Sequence, residues 1–295
     1  MVEGFKIGFL PSGSYQKKTV PEICDSLKAI GYDAVELPVG MVCPRKNKES
    51  AISNVFTDTK NSGLEVSEIC VQVDYITANE NERQDNVKYT LECIEALSSF
   101  GAKIFNIFSG PVPWAKYPFR VGVDIKMGDA WNILFDALDS ILPVAKRNNA
   151  YLALESVWGM LAHDFYSAKF LIDHYDSPNL GLNFDPSHDI LSGNFDIGWI
   201  IRQWGREKIK HVHLKDAAGI QDDDRKFVFP LLGEGKIDWR SFKKAMSDIG
   251  YSGVMSVEFE SMAYLNNILG GNMEEAARIS MDCIKKLFSL EDQDE

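Results

Sequence analysis

Short apolar runs recur along this chain, separated by longer stretches whose apolar positions fall three or four residues apart. The runs are FKIGFLP (5–11), AVELPV (34–39), LEVSEICV (64–71), KIFNIFSG (103–110), YLALES (151–156), LGLNFDP in the 181–187 region, HVHLKD (211–216) and GVMSVEFE (253–260). Near-continuous hydrophobicity over so few residues predicts strands covered on both faces. The stretches between them include PEICDSLKAIGY, NVKYTLECIEALSSFG, AWNILFDALDSILPVAKRNN and DWRSFKKAMSDIGY, whose spacing predicts amphipathic helices. MEEAARISMDCIKKLFSL predicts one more helix before an acidic tail, EDQDE.

Several predicted helices end on a glycine: Gly31, Gly63, Gly101 and Gly250. Each suits the left-handed position that closes a helix, and a strand follows within a few residues. The repeating unit is therefore a helix and a strand in about 30–40 residues, the connection of a parallel sheet. Eight units without a break in composition predict an α/β fold, a single (β/α)8 TIM barrel. No linker interrupts it, so residues 1–295 read as one domain with a C-terminal helix and a short acidic tail.

Four of the last strands end on a group that buried strands rarely carry. Glu155, Asp185, His213 and Glu258 stand at the exits of strands five to eight. In a barrel those exits form the active face. Alternation places Glu155 with Ala153, Asp185 with Asn183 and His213 with His211, while Leu154, Phe184, Leu214 and Val257 point the other way. The four groups can thus converge. Three carboxylates and an imidazole suit a hard-to-borderline divalent cation, Mn²⁺ first, with Mg²⁺ or Co²⁺ as alternatives.

Charge and composition narrow the partners. The formal charge is −12 in 295 residues, and there is no dense basic cluster, so nucleic acid and anionic membrane are not expected partners. Five scattered cysteines without CxxC spacing predict reduced thiols and a cytoplasmic setting, with Cys43 on an exposed loop. No apolar run is long enough to span a membrane, and the first residues do not read as a signal peptide.

FDPSH (184–188), HVHLKD (211–216), LGEGKIDW (232–239) and GYSGVMSVEFE (250–260) together resemble the xylose-isomerase-like sugar isomerases and epimerases, which include ketose 3-epimerases and sugar-phosphate 3-epimerases. The resemblance extends over the eight-unit layout, with its specific motifs in the second half. It implies metal ligation by Glu155, Asp185, His213 and Glu258, with Glu155 and Glu258 as the acid/base pair on opposite sides of the substrate carbon. It also implies that His188 contacts a sugar substrate. The expected activity is a divalent-metal-dependent sugar or sugar-phosphate isomerase or epimerase working through an enediolate. A lyase or dehydratase of a keto-inositol or 3-oxo-glycoside shares that intermediate. An apurinic endonuclease-like hydrolase and a non-catalytic sugar-binding barrel are the remaining alternatives, and a homo-oligomer is in keeping with the family. The family's ketose 3-epimerases carry an arginine soon after the second histidine. Here that stretch, KDAAGIQDDDRKF, holds an acidic insertion (219–231) and only Arg225.

Other residues are secondary candidates. His211 faces the same way as His213 one layer deeper and is expected to support the ligands rather than join them. Glu260 competes with Glu258 or contacts substrate. Lys215 and Asp216 either orient substrate or pair with each other, and Glu36 supports the site or makes a loop contact. Trp114, on the long loop 109–127, and Trp158 are candidate walls for a sugar, with Arg120 a candidate partner for a phosphate or hydroxyl.

Overall fold

The computed structural model describes residues 1–221 and 226–289. Eight parallel strands close on themselves: β1 (Lys6–Phe9), β2 (Ala34–Pro38), β3 (Glu65–Cys70), β4 (Ile104–Ile107), β5 (Tyr151–Glu155), β6 (Leu180–Phe184), β7 (Ile209–Leu214) and β8 (Val254–Val257). Each pairs with its neighbours in sequence, and β1 closes the ring on β8. Every strand expected from the apolar runs is present, so the fold is a single (β/α)8 TIM barrel.

The helices form the outer layer because their apolar stripes bury on the strands. Val20–Ile30 starts in a capping box, in which Glu22 Oε2 accepts from the Thr19 N–H at 2.7 Å. It ends on Gly31 at φ 111°, and Gly63, Gly101 and Gly250 also have positive φ, as the helix-end reading required. The helix Met273–Phe288 packs against Val20–Ile30, placing the last turn of the ring beside the first. The tail EDQDE and residues 222–225, including Arg225, lie outside the described residues.

Register sets the interior in layers. Glu155 lies opposite Asn183, Asn183 opposite His211, and His213 opposite Ser256. Beside Ser256, Gly8 leaves the room that layer needs, since a Cβ there would sit 2.6 Å from Ser256 Oγ. The β2–β3 pairing shifts register between Val35 and Leu37. That irregularity falls at Glu36, which is fully buried and turned toward His213. Cys43, expected to be exposed, is instead buried at 3% exposure. Just after the short helix Val39–Val42, its carbonyl accepts from the N–H groups of Lys46 and Asn47, which folds the loop over it.

Candidate metal centre

Single donor atoms of Glu155, Asp185, His213 and Glu258 all lie within 4.8 Å of one another at the barrel's C-terminal mouth. Atoms about 2.0–2.6 Å from one shared cation have about that spread. β5, β7 and β8 deliver three of the groups, and Asp185 caps the helix Pro186–Leu191 by accepting from the Ser187 N–H at 2.9 Å. Glu260 stays at the rim with its side chain 40% exposed, and Glu258 is the glutamate that joins the four.

The Glu155 carboxylate is fixed on one side. Its Oε2 accepts from Asn106 Nδ2 at 2.9 Å, and from Gln72 Nε2 and Asn183 Nδ2 at 3.3 Å each. Oε1 is left toward the centre, 3.3 Å from His213 Nδ1 and 3.7 Å from His188 Nε2. Burial would push this carboxyl up, but His213, His188 and Lys215 outweigh it and hold Glu155 well below the usual range. Burial of Glu258 is outweighed in the same way by Lys215 and His213, which bring it to about 2.

A cation fits this donor set on three counts. His213 Nε2 lies 2.9 Å from Glu36 Oε1, so that nitrogen carries the proton and donates it. The other nitrogen, Nδ1, lies 3.3 Å from Glu155 Oε1 and 3.4 Å from Glu258 Oε2. Burial would lower the His213 pKa, but Glu36, Glu155 and Glu258 raise it well above the ordinary histidine value, so the place between these groups draws positive charge, a proton or a metal cation. Asp185 Oδ2 is buried without a hydrogen bond. It has a close ion contact with Lys215 Nζ at 2.8 Å, but not one with hydrogen-bond geometry. Finally, Glu36, Glu68, Glu155, Asp185, Glu258 and Glu260 converge on this region, while Lys215 is the lysine among them.

The neighbours divide into support and contact groups. His211 lies deeper, with Nδ1 3.0 Å from Asn183 Oδ1 and Nε2 3.0 Å from Ser256 Oγ. Burial, opposed by Glu36, lowers its pKa to about 4, so it stays neutral. His188 accepts from the Trp158 backbone N–H through Nδ1 at 3.4 Å. Its Nε2 therefore carries the proton and points among Asp185, Glu155 and Lys215. Lys215 is 4% exposed and bridges Asp185, Glu258 and Glu260 at 2.8, 2.5 and 3.0 Å. Burial would lower its pKa, but those carboxylates raise it well above the ordinary lysine value. It does not pair with Asp216, whose carboxylate serves the following loop. Trp158 packs on Phe227 at 4.9 Å, and the half-exposed Trp114 packs on Phe108 at 5.8 Å and Trp158 at 6.3 Å.

A model of the xylose isomerase-like TIM barrel family matches residues 24–287. The chain belongs to that family. Among curated relatives, an uncharacterised protein of Methanocaldococcus jannaschii is 27% identical over 202 residues, covering 65% of this chain and 64% of that one. An inosose dehydratase of Clostridium perfringens is 24% identical over 204 residues, 63% of this chain and 67% of that one. These matches thus span about two thirds of each relative. An inosose isomerase of Bacillus subtilis is 26% identical over 163 residues, 52% of this chain and 56% of that one. Among solved structures, the zinc-bound IolI protein superposes with a TM-score of 0.73 at 19% identity, covering 97% of this chain and 98% of that one. A D-psicose 3-epimerase of Clostridium cellulolyticum H10, solved with D-tagatose, gives 0.76 at 15%, covering 96% and 98%. At such identities the structures establish the shared fold.

Within this family barrel, the first half of the chain contributes Glu36 beside His213 as well as Glu68 and Asn106, two groups that the reading of strand exits passed over. Glu36, Glu68, His211 and His213 form a second, fully buried acidic and imidazole group beneath the first. Both oxygens of Glu68 lack a hydrogen bond, and burial together with Glu36 raises its pKa well above the carboxylate range. In the sequence Glu36 lies within AVELPV, Glu68 within LEVSEICV and Asn106 within KIFNIFSG, whereas YLALES carries its glutamate at the end of the run.

Proposed function

We propose that this family member is a divalent-metal-dependent isomerase or epimerase of a keto-sugar. Glu155 and Glu258 are the acid/base pair, and Glu155, Asp185, His213 and Glu258 hold the metal, with Mn²⁺ the first candidate. The observation that carries this reading is the convergence of those four donors, three carboxylates and an imidazole, within 4.8 Å of one another. A divalent cation at that position supplies Lewis acidity, which lowers the pKa of the C–H next to a substrate carbonyl.

The rest belongs to the chain's own residues. Both glutamates are ionised at neutral pH, because nearby positive groups outweigh the cost of burial. One removes the proton beside the carbonyl, and the C–H electron pair moves toward the carbonyl oxygen to give an enediolate. The other, once it has taken up a proton from solvent, delivers it to the opposite face, giving an epimer, or to the neighbouring carbon, giving an isomer, and the first then releases its proton to solvent. Three amides holding Glu155 Oε2 keep that carboxylate in one orientation, and the protonated Nε2 of His188 is placed to grip a substrate oxygen. Lys215 and Glu260, joined at 3.0 Å, line the approach from the rim.

Loss of a β-hydroxyl from the same enediolate would make the enzyme a dehydratase, and the inosose dehydratase among the relatives supports that second reading. A panel of ketoses, ketose phosphates and keto-inositols, incubated with Mn²⁺-loaded protein and followed by NMR, separates the two. Products of unchanged mass support the isomerase or epimerase reading. Loss of water selects the dehydratase, and no turnover across the panel would contradict both.

A further inference from the structure

A cleft of about 630 Å³ opens beside the metal centre, between the loop after β4 and the loop after β5. Its size is that of pockets holding drug-sized ligands, about 300–1,000 Å³. Trp158 belongs to both spaces. Its N–H fixes His188 at the centre, and the same residue lines the cleft. Its ring meets Phe227 at 4.9 Å, Phe227 meets Phe229 at 5.5 Å, and Phe229 lies 6.1 Å from the His188 ring and 4.8 Å from Lys215 Nζ. A continuous aromatic wall therefore joins the substrate-facing groups to the cleft.

The cleft offers apolar faces and a few polar groups. Phe119 and Met127 line it with Trp158, and Arg120 reaches it, 3.9 Å from Asp124 in a long ion pair. His163 also lines it, and its Nδ1 faces the carbonyls of Met160 at 3.0 Å and Leu161 at 3.3 Å. The proton must then sit on Nδ1, which leaves Nε2 as an acceptor. Apolar faces with a sparse donor and acceptor suit a ring edged by hydroxyls. Trp114 and Tyr117 on the loop after β4, and Met127 at the start of the helix that follows, are exposed apolar residues.

We infer that the substrate is a glycoside with two rings, its keto-sugar at the metal centre and its second ring in the cleft beside Trp158. This rests on the keto-sugar reading above. A one-ring ketose gripped by His188 would touch only the near end of the aromatic wall. The glycosidic partner, a sugar or a flat aglycone, would gain the faces of Phe119 and Met127.

The test uses Mn²⁺-loaded protein and three probes: methyl β-glucoside, phenyl β-glucoside and cellobiose. Calorimetry gives their affinities, and kcat/KM is measured on their 3-keto forms. At least one two-ring compound is expected to bind about tenfold more tightly than the methyl glucoside and to show a matching gain in kcat/KM. Which of the two gains more identifies the second ring. Phe119→Ala and His163→Ala are each expected to shrink that ratio severalfold. Equal affinity and equal kcat/KM across the three would overturn the inference while leaving the keto-sugar chemistry intact. Two-ring preference in binding without turnover of any keto form would support the cleft and overturn the chemistry.

Discussion

Individual residues show where this interior stores electrostatic work. Asp189 is buried on the helix Pro186–Leu191, with Oδ1 accepting from the Phe165 N–H at 2.8 Å and Asn194 Nδ2 at 3.1 Å. Burial is the main cause that raises its pKa to about 6. In the unfolded chain it titrates near the ordinary value of about 3.9. Between those values the folded state binds more protons, so this group's contribution to stability is present below about pH 4 and is lost as pH rises through 6. Two pH units correspond to about 3 kcal/mol, as an order of magnitude. Asp189→Asn keeps an acceptor for both donors and removes the titration. In chelator-treated protein, urea unfolding is expected to show the variant gaining about 2–3 kcal/mol on the wild type between pH 4 and pH 7. A difference independent of pH would contradict this assignment. Among the sequence candidates, the four strand-exit residues were legible because each broke an apolar run at its end. Glu68 and Asn106 were not, because a single polar group within a strand reads equally well as a core contact until its neighbours across the barrel are known.

At the scale of elements, the HLKD and LGEGKIDW motifs turn out to be one structural unit. Asp216, just after β7, accepts from the backbone N–H groups of Ala217, Gly233, Gly235 and Ile237 at 2.9–3.2 Å and from Trp239 Nε1 at 2.9 Å. A Cβ at Gly235 would lie 2.0 Å from Asp216 Oδ1, so that position needs glycine for the close approach. The sequence showed the motifs but not the link, since hydrogen bonds between segments about 20 residues apart leave no periodicity. Asp216→Ala would strand five donors at once, at a cost of about 3–5 kcal/mol. Asp216→Asn, which retains one acceptor oxygen, is expected to cost clearly less. Thermal melts of both variants check this, and equal melting temperatures for wild type and Asp216→Ala would refute it. The same anchor holds the segment that includes Phe229 near the end of β7, so it also positions the aromatic wall beside Lys215.

The barrel as a whole gathers an excess of negative charge at one mouth of a chain that already carries −12. Its closure, strand count and order were readable from eight apolar runs and their glycine-ended helices, because a parallel sheet imposes that repeat on the sequence. Such a mouth should make folding depend on a bound cation. At about 100 times the dissociation constant, Mn²⁺ would add about 2.7 kcal/mol of stability, which at this size corresponds to a rise in Tm of about 5 °C. A chelator should reverse the rise, and an unchanged Tm with and without Mn²⁺ would count against the metal centre. The most direct test of the central claim is deuterium uptake from D2O by a keto-sugar substrate, followed by NMR in Mg²⁺-loaded wild type, Glu155→Gln and Glu258→Gln. Metal-dependent uptake at one carbon in the wild type, lowered at least a thousandfold in either variant, is the result the acid/base pair predicts. Uptake that persists in both variants or without metal would contradict it.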